Sequence, residues 1–203
     1  MERWEEAKEY LSSVLLPLRG HILERQSVRT CILSCRVLGI ALDRAGFHAE
    51  AVPVEVSVLN AAAARQIGST ALQAIPGQQP FGVWIGAMER SLFPAVPSPG
   101  AYNPGDYPGH LVLVVEDRLL VDPSADQFHH ENGINIATPL VLKLRDEEMP
   151  FARPGALVER AIPSLGVSLF YRSGVGVLPP WDAHPHWENR RAAEFIVNKV
   201  ARR

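Results

Sequence analysis

The sequence predicts an α+β fold in which one buried helix packs on an antiparallel sheet. Three segments carry that expectation. Residues 27–45 form a helix that is apolar on most sides, and such helices sit inside their domain. Residues 48–59 alternate with period two, with Val52, Val54, Val56 and Val58 on one strand face and Glu55 and Ser57 on the other. Residues 110–122 read as a β-hairpin, His110 to Val115 and Arg118 to Asp122, joined by the polar pair Glu116-Asp117 and stopped by Pro123.

The other elements follow in chain order. Residues 2–25 have helical spacing at Trp4, Ala7, Leu11, Val14, Leu15, Leu18 and Ile22. Pro17 and Gly20 predict a break or kink near the middle. Ser27 is the expected N-cap of the second helix, and Gly46 suits the left-handed residue that ends it. Asn60 opens a short helix to Ile67. Residues 76–109 are dense in proline and glycine and predict a long excursion, with a strand over 82–87. Further strands are expected at 134–143 and 166–172. A basic amphipathic helix over 189–202 closes the chain, with Ala192, Phe195, Ile196 and Val200 inward.

Composition narrows the function. The 203 residues suit one domain, with its core over about 25–175. At 47% hydrophobic and 21% charged residues, disorder of the whole chain is excluded. Twenty basic and 22 acidic side chains leave a formal net charge of −2, so no nucleic-acid partner is expected. The N-terminus lacks a basic, then apolar, leader, and no apolar run reaches the roughly 20 residues of a membrane span. The expectation is a soluble, cytoplasmic protein with reduced thiols.

The two cysteines then separate by position. Cys31 lies near the start of the buried helix, where partial positive charge and free N–H groups favour a thiolate and can hold an oxyanion. Cys35 lies one turn deeper, in the core. Symmetric pairing of the hairpin about a turn centred near residue 116 sets His110 and Asp122 opposite each other, within a register step, and so on one face. The carboxylate can then orient the imidazole and leave its other nitrogen free as a base. Taken singly, each residue also has an ordinary reading: a small core hydrophobe, the start of an edge strand, a turn signal.

Cys31 near the start of a buried helix, Leu42 and Gly46 at its end, a following strand, His110 opening a later strand and Asp122-Pro123-Ser124 on the next resemble one family. It is the transglutaminase-like branch of the papain-like cysteine enzymes, and the likeness covers roughly residues 25–128. Arg29-Thr30 before the cysteine and Leu111 after the histidine depart from the usual pattern. The resemblance implies a papain-like fold and a Cys31–His110–Asp122 triad performing acyl chemistry on a peptide or amide-containing small molecule. Water as acceptor gives a hydrolase, an amine a transferase. Gln26 is the preferred oxyanion donor and Gln127 the other candidate. Two alternatives stay open: a catalytically inactive binding module of the same fold, and a thioester-dependent N-acyltransferase.

No cofactor is expected. The histidine clusters at His129-His130-Glu131 and at Asp182, His184 and His186 are not expected to bind metal, since adjacent strand residues face opposite ways and Pro185 implies an irregular loop. The oligomeric state and the role of residues 130–203 are not legible.

Overall fold

The computed structural model describes residues 2–24, 30–73, 75–85, 110–127, 136, 139–174 and 186–201. The described residues form an α+β fold with a seven-stranded, fully antiparallel sheet. Among the described residues the α-helices are α1 (Arg3–Leu23), α2 (Cys31–Arg44), α3 (Ala61–Gln66) and α4 (His186–Ala201). The strands are β1 (Ala49–Asn60), β2 (Gly82–Ile85), β3 (His110–Val115), β4 (Leu119–Asp122), β5 (Leu140–Lys143), β6 (Leu157–Ile162) and β7 (Val167–Ser173). Among the described residues, no helix is long and apolar enough to cross a membrane.

The sheet runs β5-β4-β3-β1-β7-β6, and β2 also pairs with β1. The long β1 changes partner along one edge. It pairs with β3 from Ala49 to Val54 and with β2 from Val56 to Leu59, while β7 takes the other edge from Val54 to Asn60. Ile85 and His110 therefore sit opposite Val56 and Val54, two residues apart on the same strand. Gly82 makes β2 possible: a Cβ there would overlap the Leu59 side chain and press on the Val58 carbonyl oxygen.

Two cores lie on opposite faces of the sheet. Leu111, Leu113, Val115, Leu119 and Val121 face α2 and α1. Val52, Val54, Val56, Val58, Val112, Val114, Leu120 and Tyr171 form the other core. The alternation along β1 is as expected, but Glu55 and Ser57 are buried too, so both faces of this central strand are covered.

Several expectations need correction. Helix α1 does not break at Pro17. Leu11, Val14 and Leu15 before the proline, and Leu18 and Ile22 after it, are all buried on one face. That packing offsets the roughly 3 kcal/mol cost of an internal proline. Helix α2 starts at Cys31 with Thr30 as N-cap; Ser27 lies outside the described residues. The end is as expected: Gly46 has φ 81°, and the Gly46 and Phe47 N–H groups bond the Asp43 and Leu42 carbonyls at 2.9 Å each. Asn60 caps α3, its side chain accepting from Ala63 N at 2.9 Å. The strand over 134–143 is confined, among described residues, to β5, and β6 was not expected. His186 begins α4 rather than lying in a loop. On that helix Ala193 and Ile196 are buried, whereas Phe195 is half-exposed and stacks on His21. The side chain of Val200 lies outside the described set.

Candidate active site

The hairpin turn is centred one residue later than symmetry suggests. Glu116 and Asp117 both take left-handed φ, 49° and 53°, and Arg118 N–H bonds the Val115 carbonyl at 3.1 Å. Val115 pairs with Leu119 and Leu113 with Val121. Continuing this register sets Asp122 opposite Val112, so His110 and Asp122 are diagonal neighbours on one face rather than direct partners. Diagonal positions are within reach of longer side chains. Here His110 Nε2 and Asp122 Oδ2 meet at 2.8 Å, with both residues fully buried.

Asp122 is held from three sides. The Ser124 N–H donates to Oδ1 at 3.0 Å, and the Tyr171 hydroxyl donates to Oδ2 at 3.0 Å. Tyr171 stands opposite Val56 and His110 opposite Val54, so β1 supports both on the same face. Burial, reinforced by the charge of Asp122, raises the Tyr171 hydroxyl well above its ordinary pKa, which keeps it a donor.

Cys31 comes from the other core. One turn deeper, the Cys35 thiol donates to the Leu111 carbonyl at 3.2 Å, which ties the first turns of α2 to the residue after His110. Cys31 lies near enough to His110 for its side chain to bear on the imidazole. Cys31 is half-buried, while Cys35 is fully buried. Burial, with the nearby Cys31 and Asp122, pushes the Cys35 thiol well above its ordinary value. That suits the packing role expected of it.

Burial opposes a charge on His110. The charge and hydrogen bond of Asp122, with the influence of the nearby Cys31, outweigh it and push its pKa from 6.5 up to about 10. A third partner completes the ring: Gln127 Nε2 lies 2.5 Å from Nδ1. Gln127 is buried. With Nε2 bonded to Asp122, Gln127 donates to Nδ1 when the ring is neutral; when the ring is protonated, the amide must turn its oxygen there instead.

The structure thus brings Cys31, His110, Asp122 and Gln127 together. Gln26, His129, His130, Glu131, Asp182 and His184 lie outside the described residues. Among the described residues no group of three or more His, Cys, Asp or Glu is arranged to hold a metal ion.

Two supporting groups were not found from the sequence. Tyr171 is one. The other is Arg19, buried at 2% exposure, whose Nε donates to Asp126 Oδ1 at 2.8 Å and whose Nη1 donates to Thr30 Oγ1 at 2.6 Å. Thr30 is the N-cap of α2, yet its side chain makes no capping bond. The signal for Arg19 was a charged residue within the apolar stripe of Leu11, Leu15, Leu18 and Ile22.

No family model matches this chain, and no curated protein or solved structure is significantly similar to it.

Proposed function

We propose that this protein is a cysteine-dependent enzyme of the transglutaminase-like, papain-like kind, acting on an amide or peptide-like substrate. The observation that carries this reading is the buried His110–Asp122 pair at 2.8 Å with Cys31 near enough to bear on the imidazole, whose pKa is pushed up to about 10. An imidazolium beside a thiol favours the thiolate, the nucleophilic form. Cys31 is also the half-exposed member, as the group that meets substrate must be.

The chemistry follows from these roles. The Cys31 thiolate attacks the carbonyl carbon, and the C–S bond forms as the carbonyl electrons move to oxygen. N–H groups at the start of α2 are suited to that oxyanion. The intermediate collapses, the C–N bond breaks, and His110 gives its Nδ1 proton to the departing amine. The neutral imidazole then takes a proton from water or an acceptor amine, which attacks the thioester and releases Cys31. Asp122 keeps Nε2–H oriented.

Iodoacetamide alkylation across pH, read at Cys31 by peptide mass, tests the reading. The expected result is rapid alkylation well below pH about 8.5, the ordinary thiol value. A thiol inert until that pH overturns the enzyme reading and favours a binding module of the same fold. A labelled acyl group trapped on Cys31 from acetyl-CoA, but not from amide substrates, would move the assignment to a thioester-dependent N-acyltransferase.

A further inference from the structure

Arg19 is a charged side chain where the fold otherwise places leucine. It lies on the buried face of α1, flanked by Leu15, Leu18 and Ile22. Taking a guanidinium and a carboxylate out of water is costly, and an apolar pair of similar volume is often as stable. A buried ion pair is therefore weak evidence for stability and better evidence for a need to fix geometry.

The partners of Arg19 show what is fixed. Thr30 immediately precedes Cys31, and its hydroxyl accepts from Nη1 at 2.6 Å. Ser34, one turn into α2, accepts from the same nitrogen at 3.4 Å. Asp126 immediately precedes Gln127 and lies four residues after Asp122, and it accepts from Nε at 2.8 Å. Thr30, Ser34 and Asp126 are all buried. One planar fork therefore joins the start of the cysteine helix to the segment that follows the acid of the triad. A guanidinium presents its donors in fixed directions, so it sets a distance between two acceptors as a lysine cannot.

We propose that Arg19 is a positioning residue that holds Cys31 against His110 by clamping the first turn of α2 to residues 124–127. The inference rests on Cys31 being the nucleophile. Without the clamp, α2 and the segment after β4 keep their cores, but Cys31 is no longer held near His110, and the thiol reverts to ordinary behaviour.

The test uses the full chain and the same peptide-resolved alkylation, so Cys31 and Cys35 are read separately. The double variant Arg19→Met/Asp126→Leu replaces the ion pair with apolar side chains and should fold, as circular dichroism and a cooperative urea transition will report. Its Cys31 alkylation at pH 6–7 should fall at least tenfold, with the pH profile moved to that of a simple thiol. Arg19→Lys should recover only part of that loss. Thr30→Val removes one hydroxyl with little change of volume, and should slow alkylation at least threefold even if the double variant fails to fold. A folded double variant, or Thr30→Val, with the unmodified protein's profile overturns the clamp. A Cys31 that is inert in the unmodified protein instead removes the reading beneath it, so the two failures are distinguishable.

Discussion

The Tyr171 hydroxyl and the His110 imidazole share one oxygen, Oδ2 of Asp122, at 3.0 and 2.8 Å. The two donors compete for the same negative charge. Tyr171 stabilises the carboxylate and at the same time weakens its pull on the ring. Tyr171→Phe should therefore act in two directions. Stability should fall by about 1.5–3 kcal/mol, the usual worth of a hydrogen bond to a charged group, read by urea denaturation. The His110 pKa should rise, read by following the ring protons by NMR. A pKa that falls or stays in place would show that the hydroxyl does not bear on the triad.

The pH dependence has a definite sign. The folded-state pKa of His110 is raised from 6.5 to about 10. The stabilisation it brings is fully present below about 6.5 and is lost as pH rises through about 10. Melting temperature should therefore decline between those limits. In Asp122→Asn, which removes the charge holding the proton, the decline should flatten. The same variant should lose about 10²–10⁴-fold in acyl turnover, the range for a displaced general base.

Gln127 offers a choice between two roles. As an amide donor to Nδ1 it favours the neutral ring and opposes the thiolate–imidazolium pair. Gln127→Ala should then speed Cys31 alkylation at neutral pH by a few-fold. If Gln127 were instead the oxyanion donor, the variant would leave alkylation unchanged and lose about 10²–10³-fold in turnover. Comparing alkylation with turnover of an amide substrate decides between them.

The chain from 86 to 109 leaves and rejoins the sheet at nearly one point, since Ile85 and His110 face Val56 and Val54 of β1. Two strand residues span only about 7 Å. Deleting residues 90–105 leaves eight residues to bridge that gap, ample in length. Shortening the connection threefold lowers its closure cost by about 1 kcal/mol. Thermal stability should hold or rise slightly, while turnover falls because the deleted segment leads directly to His110. Unchanged kinetics would show that it does not shape the cleft.

Much of the scaffold was legible because local and tertiary preferences agree. The apolar α2 ends at Gly46 where the left-handed turn is needed, β1 alternates as its valines do, and Asn60 caps α3. The shared face of His110 and Asp122 was also legible. Moving the turn centre by one residue shifts the register by two and leaves each side chain on its own face. What stayed hidden depends on distant partners. Arg19 meets Asp126 across 107 residues, and Tyr171 meets Asp122 across 49. Strand β6 was obscured by Glu159 and Arg160, which an edge strand tolerates because, among the described residues, it pairs on one side only, with β7. Helix α1 continues through Pro17 because the proline's cost is local and its compensation is not.

Thr30 has a further consequence. A threonine at this position ordinarily closes the first turn of its helix, a contribution of about 1 kcal/mol, but its hydroxyl is turned to Arg19 instead. Helix α2 thus begins with a local deficit at the residue that carries the thiol. Its opening amides should exchange with deuterium ahead of the rest of the helix, even though Arg19 holds the side chains around them in place.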